Sequence, residues 1–182
     1  MNSAFGRGAR AAAAIAAVCA AGLAWGGSAV TDLSVTATVS QRCTITTTPV
    51  AFGSYDPVVD NSAAGVDKTA TGTVSLTCTK GSSNITVTLS NGTHFTATRR
   101  MSGGGDYLAY ELYQPVGAAP GTCPGTQRWG TTGAEIYPAV ATWSALSAVP
   151  FNVCGVVPKG QDVTGSSAGT AYTDTVLATV NF

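Results

Sequence analysis

Residues Tyr172–Phe182 read Y-T-D-T-V-L-A-T-V-N-F, and this stretch decides the fold. Val176, Ala178, Val180 and Phe182 recur at every second position, with Leu177, Thr179 and Asn181 between them. A period of two marks a strand with one buried face. The last residue still lies inside the pattern. Near the other end, Leu33, Val35, Ala37 and Val39 alternate in the same way with Ser34, Thr36 and Thr38. The expectation is a sandwich that lacks its closing strand, with a spare strand at the opposite terminus.

What precedes that spare strand reads as an export signal. Arg7 and Arg10 lead an Ala-rich apolar run over Ala11–Trp25, and Gly27-Ser28-Ala29 offers the small residues a signal peptidase reads. The alternative is a retained anchor, but the run is shorter than the roughly 20 apolar residues a span needs. Residues 1–29 are therefore set apart as a signal peptide, and 30–182 as one β domain with a donor-like strand over about residues 31–40.

Composition agrees with export. Only 10% of the 182 residues are charged and the formal net charge is zero. Losing Arg7 and Arg10 leaves seven basic against nine acidic side chains, near −2, so nothing recommends nucleic acid as a partner. Cys19 lies in the leader, and its surroundings do not fit a lipidation site. Four cysteines remain, Cys43, Cys78, Cys123 and Cys154. An even number in an exported chain implies two disulfides, for which three pairings are open. Cys43–Cys78 with Cys123–Cys154 is favoured because each bond stays within one half of the chain. A zinc site would need more than one histidine or a C-x-x-C pair, and neither is present.

Between the ends the chain reads as short strands separated by turns. Thr44–Thr48 is extended and stops at Pro49. Residues 58–71 form a surface loop. Gly72–Thr79 and Ile85–Leu89 alternate across Lys80-Gly81-Ser82-Ser83-Asn84 and suggest a hairpin. Asn91-Gly92 is a turn, Phe95–Met101 a weakly patterned strand, and Gly103-Gly104-Gly105 a flexible break. Tyr107–Gln114 is a clear strand. After a Gly/Pro-rich loop over 115–125 come a short strand or turn around Trp129 and two moderate strands, Ala139–Leu146 and Val149–Val156. Pro150 argues for an edge or a strand start in the second. Pro158–Gly160 and Gly165–Gly169 are turns. About nine strands and no amphipathic helix indicate an all-β fold, an immunoglobulin-like β-sandwich or a small barrel.

Catalytic chemistry finds little to stand on. His94 is the single histidine, placed beside a turn, and no G-x-S-x-G elbow accompanies it. Asp106 and Glu111 are the nearest approach to a glycosidase pair, Asp162 and Asp174 to calcium ligands; turn capping suits the aspartates better. Asn84-Ile85-Thr86 and Asn91-Gly92-Thr93 match the glycosylation sequon. Trp129 and Trp143 suit a core better than a sugar platform. No catalytic residue, metal ligand or cofactor motif is assigned.

Several pieces together resemble the spore coat protein U domain family, which includes subunits of archaic chaperone–usher pili. They are the Leu33–Val39 alternation leading to Cys43, Phe52-Gly53-Ser54-Tyr55-Asp56-Pro57, Gly72–Cys78, Arg100-Met101, Leu108–Tyr113, Trp129-Gly130, Gly155 with Pro158 and Gln161, and Tyr172–Val176. The Cys123–Cys154 pair is not needed by that pattern. The resemblance implies an incomplete immunoglobulin-like sandwich, missing its last strand and completed by donor-strand exchange. Its donor would be Leu33, Val35, Ala37 and Val39; the edge of its acceptor groove would be Val176, Ala178, Val180 and Phe182. The partners implied are a periplasmic chaperone, an outer-membrane usher and neighbouring subunits in a surface fibre serving adhesion or biofilm formation. A self-contained sandwich that binds a carbohydrate or other surface ligand, and a spore or cell coat protein, are the alternatives.

Overall fold

A computed structural model describes residues 26–165 and 171–182. Most of the expected signal peptide (residues 1–25) and most of the expected turn at 165–169 lie outside the described residues. Residues 38–182 form one compact unit, and residues 1–37 are grouped separately. Within that earlier group the described residues, 26–37, carry no strand, and every one of them is exposed. The strand expected over Leu33–Val39 is therefore not formed: the side chains alternate, but no ladder satisfies the backbone there.

The compact unit is an all-β, immunoglobulin-like sandwich of two antiparallel sheets, with a single short 3₁₀ turn among the described residues, at Gly133–Glu135. In chain order the strands are β1 (Cys43–Thr48), β2 (Lys68–Cys78), β3 (Thr86–Leu89), β4 (Arg99–Gly103), β5 (Asp106–Tyr113), β6 (Tyr137–Pro138), β7 (Val149–Val157) and β8 (Ala178–Asn181). One sheet runs β1-β2-β7-β5-β4 and the other β6-β3-β8. Alternation explains the seats of β2, β3, β5 and β7. Val74, Leu76 and Cys78 of β2, Val87 and Leu89 of β3, Leu108, Tyr110 and Leu112 of β5, and Phe151, Val153 and Val157 of β7 all turn into one core. Trp129 fills its centre, donating its indole N–H to the Val87 carbonyl at 2.9 Å and packing on Tyr137 at 4.8 Å between ring centroids. Trp143 is buried against Phe151. Each such side chain contributes roughly 1.5–3 kcal/mol when fully buried.

Four features differ from the sequence expectations. The segments flanking Lys80–Asn84 are not a hairpin: β2 pairs with β1 and β7, while β3 pairs with β6 and β8, so the turn crosses from one sheet to the other. Alternation fixes which face is buried and says nothing about the partner. Second, β2 begins at Lys68, inside the stretch read as loop, because Lys68–Thr71 pairs with Val157–Cys154 without any apolar signal of its own. Third, Ala139–Leu146 is not a strand; the pairing lies just before it, in the two-residue β6. Fourth, Gly103–Gly105 is no flexible break. Gly103 pairs with Asp106, and Gly104 and Gly105 take φ of 60° and 85°, the left-handed pair that closes a two-residue hairpin.

Both disulfides have the favoured pairing. Cys43 and Cys78 face each other in the β1–β2 register, with 4.1 Å between their Cα atoms. Cys123–Cys154 ties the 115–125 loop to β7, beside the bonds from Asn152 to the Pro120 and Gly121 carbonyls at 2.8 Å each.

Candidate functional site

The site is built by two strand edges that remain unpaired. β1 bonds only to β2, and β8 only to β3, among the described residues. The Thr79 N–H bonds the Arg42 carbonyl at 2.9 Å, so Arg42, Thr44, Thr46 and Thr48 address β2. Ile45 and Thr47 then turn their backbone groups to the open side. On the C-terminal segment the Ser90 N–H bonds the Leu177 carbonyl at 2.9 Å. By the same parity Val176, Ala178 and Val180 turn theirs away from β3. Asp174 and Val176 make no backbone hydrogen bond among the described residues. β1 and β8 lie close together, and residues of both, Thr47 and Thr48 on one and Ala178 on the other, line the same cavity.

Between them lies a cavity of about 310 Å³. Its walls are Thr47–Val50 on one side and Tyr172–Asp174, Val176 and Ala178 on the other; core side chains such as Val74, Leu112 and Val153 form its floor. A second cavity of about 590 Å³ continues past Val50, Phe52, Met101 and Tyr172, which line both. Its outer wall, residues 50–57, is pinned by Tyr55, whose hydroxyl donates to the Pro158 carbonyl at 2.9 Å and accepts from the Gln161 N–H at 3.1 Å. The groove is thus apolar inside and lined along its rims by unpaired backbone groups, the chemistry that accepts an extended chain.

Between Thr173 and Ala178 the C-terminal edge runs from one sheet to the other. Thr173 exchanges two bonds with Ser102 of β4, at 2.9 and 3.0 Å, and β8 then joins β3. In the gap, side chains replace the ladder. Asp174, its side chain 2% exposed, accepts from the Thr93 N–H (2.9 Å), the Thr93 hydroxyl (2.7 Å) and the Tyr110 hydroxyl (2.7 Å), and meets His94 Nδ1 at 3.2 Å. The Leu177 N–H donates to Ser90 Oγ at 2.9 Å. Gly92 is a glycine for this reason as well as its φ of 85°: a Cβ there would lie 2.0 Å from Asp174 Oδ2. Burial pushes the Asp174 carboxyl up, but the bonds donated by Tyr110 and Thr93 outweigh it and hold the group below its usual range. Burial, then the bond to Asp174, pushes the Tyr110 phenol well above its usual value.

Of the expected acceptor-edge residues, Val176 and Ala178 line the groove; Val180 is half-buried opposite Val87, and Phe182 is 55% exposed. The expected donor residues Leu33, Val35, Ala37 and Val39 are all exposed, Leu33 and Val35 at 86% and 85%. His94 sits at its turn against Asp174, which caps that turn; among the described residues no cluster of metal-binding side chains forms. Asn91 accepts from Arg128 at 2.8 Å, while Asn84 is exposed. Sequence reasoning missed a polar cluster behind the groove. Arg99, fully buried, pairs with Glu111 and donates to the carbonyls of Leu89 (3.1 Å), Ser90 (2.7 Å) and Trp129 (2.7 Å). Arg128 joins Glu111 at 2.8 Å and Glu135 at 2.9 Å. An arginine standing two residues before Met101, where a strand's inward row would place an apolar side chain, was the available signal.

Comparison with known proteins follows the same lines. In a crystal structure of the CsuC–CsuE chaperone–tip adhesion subunit pre-assembly complex from archaic chaperone–usher Csu pili of Acinetobacter baumannii, one chain is similar to 80% of this one. The identity is 20% and the TM-score 0.45, and this chain spans 40% of that chain's length. Protein U of Myxococcus xanthus is 39% identical over 140 residues, which cover 72% of this chain and 70% of protein U. The model of the Spore Coat Protein U domain matches residues 29–179. The chain belongs to the spore coat protein U domain family.

Proposed function

We propose that this protein is a structural subunit of an extracellular fibre, a pilus of the chaperone–usher kind, assembled by donor-strand exchange. The observation that carries the reading is the pair of unpaired edges at β1 and Val176–Val180 above an apolar floor. Such a groove is costly to leave open, because backbone donors and acceptors and core side chains all lose partners. A strand laid into it would gain ladder bonds on both sides and bury alternate side chains. Leu33, Val35, Ala37 and Val39 have the required alternation and are exposed. Supplied by a second copy, they complete the sandwich head to tail, and a head-to-tail contact that does not close on itself builds a fibre. Before assembly a periplasmic chaperone lends the missing strand and an outer-membrane usher exchanges it. Residues 1–29 direct export, and the fibre serves adhesion or biofilm formation at the cell surface.

The test is the size distribution of the chain exported to an oxidising periplasm without added chaperone. The expected result is a ladder of bands that resists detergent in the cold and collapses to one band on boiling. A single stable monomer would overturn the reading in favour of a self-contained sandwich.

A further inference from the structure

We propose that Asp174 is the positioning residue of the acceptor groove: it holds the open C-terminal edge where an incoming strand can pair with it. This inference rests on the strand-exchange reading above and goes beyond it by assigning the edge's position to one side chain.

The geometry carries it. The edge is anchored by backbone bonds to Ser102 at one end and by the β3–β8 ladder at the other. Between these anchors lie Asp174, Thr175 and Val176, of which Asp174 and Val176 wall the smaller cavity. Among the described residues they make no backbone hydrogen bond to a strand. Their position is set instead by the Asp174 carboxylate, which gathers donors from two elements: Thr93 and His94 of the 91–94 turn, and Tyr110 of β5. The Thr93 hydroxyl, oriented by that carboxylate, accepts in turn from the Thr175 N–H at 3.3 Å. One oxygen, Oδ1, faces the turn and the other, Oδ2, faces the core, so the carboxylate fixes both the height and the tilt of the segment. An isolated side chain this deeply enclosed would be expected to serve only stability. Here it occupies the one stretch of the acceptor edge that lacks a ladder, so its loss displaces pairing groups of the groove as well as weakening the fold.

The experiment uses the full chain and two readouts. The first is the temperature at which the detergent-resistant ladder collapses. The second is dissociation of a labelled peptide with the sequence of residues 30–42 from the full chain carrying Val35→Asp, which cannot donate its own strand. Asp174→Ala is expected to release the peptide about tenfold faster, and to lower the collapse temperature of its ladder. Asp174→Asn keeps an acceptor for Thr93 and a partner for Tyr110, and is expected to stay within about threefold of the parent. Val157→Ala lies in β7 outside the groove lining and serves as the destabilised control; its peptide release is expected to be unchanged.

Peptide release and ladder collapse in Asp174→Ala equal to the parent's would overturn the positioning role. So would Val157→Ala speeding release as much as Asp174→Ala, which would make the effect one of stability alone. Absence of both ladder and peptide binding in the parent would remove the strand-exchange reading itself, and this inference with it.

Discussion

Leu33, Val35, Ala37 and Val39 alternate with Ser and Thr as regularly as Val176, Ala178 and Val180 do, yet the first four are exposed and the other three half-buried. The difference lies in what stands beside each segment. Leu177 and the residues of β8 find Ser90 and β3, and their apolar row comes to rest on the core. No ladder forms over residues 30–40. Alternation records that a segment has one apolar face; it is silent on which chain buries that face. The C-terminal segment teaches the same lesson from its other side, because its second edge is also unpaired among the described residues. One segment has a face without a partner, and the other has an edge without a neighbour.

The strongest way to break the comparison is to spoil each half in turn. Val35→Asp puts a carboxylate in the proposed donor row, and burying it unpaired costs at least about 3 kcal/mol, a weakening of more than a hundredfold per link. Ala178→Asp does the same to the proposed acceptor, whose cavity it lines. Each variant alone is expected to give no ladder in a detergent gel. Mixed, the Ala178→Asp chain still donates and the Val35→Asp chain still accepts, so the mixture should give one band of two subunits and nothing longer. A ladder from either variant alone would show that these two segments are not the halves of one contact.

The next effect concerns the polar cluster under the C-terminal edge. Arg99 bonds the Ser90 carbonyl, and Ser90 bonds both backbone groups of Leu177 through its N–H and hydroxyl. Arg99→Met would leave Glu111 with Arg128 as its one remaining cation and the carbonyls of Leu89, Ser90 and Trp129 without this donor. The expected loss is about 3–5 kcal/mol of unfolding free energy, read from urea titration. A loss below about 1 kcal/mol would mean that the segment's burial rests on its apolar row alone.

The opposite wall is held differently. Cys43–Cys78 locks β1 to β2 across 35 residues of sequence, so β1 keeps its place with one edge open. Replacing both cysteines by alanine should cost about 3–4 kcal/mol in the chain-entropy account, measured by the same titration. If the ladder of this variant forms as readily as the parent's, β1 is positioned by its six ladder pairs with β2, and the disulfide serves only the unfolded-state entropy.

How far the sequence discloses such a molecule follows from the same physics. β5, β7 and the second half of β2 are legible because burial of one face writes a period of two into them. The sheet change at Lys80–Asn84 is not, since β2 and β3 would show the same alternation in a hairpin or across a sandwich. Lys68–Thr71 is hidden, and β4 shows only in the weak pattern of Phe95–Met101, displaced from its true bounds Arg99–Gly103: their pairing is set by neighbours, and Arg99 occupies a buried position where an apolar residue would have announced a strand. The C-terminal alternation is legible as far as Val176 and Ala178, which line the cavity. The Asp174 cluster is not, because the carboxylate draws Thr93, His94 and Tyr110 from segments that are distant in sequence and meet only after folding.

The smallest effect expected is one of pH, and it separates the edge from the rest of the fold. The Asp174 carboxyl lies below its ordinary value of 3.8 in the folded chain. A depressed acid contributes stability that is fully present above the unfolded value and disappears as pH falls through the folded one. The unfolding midpoint should therefore hold steady at neutral pH and decline below about pH 4, as protons compete with Tyr110 and Thr93 for the carboxylate oxygens. Asp106 adds to the same decline, since the N–H groups of Tyr107 and Thr164 hold its carboxyl below the ordinary value too. Asp174→Asn should flatten the curve only in part and leave the Asp106 contribution behind. An Asp174→Asn chain with the parent's full acid sensitivity would mean that the carboxylate's charge is not what holds the edge, and that its oxygens act merely as neutral acceptors.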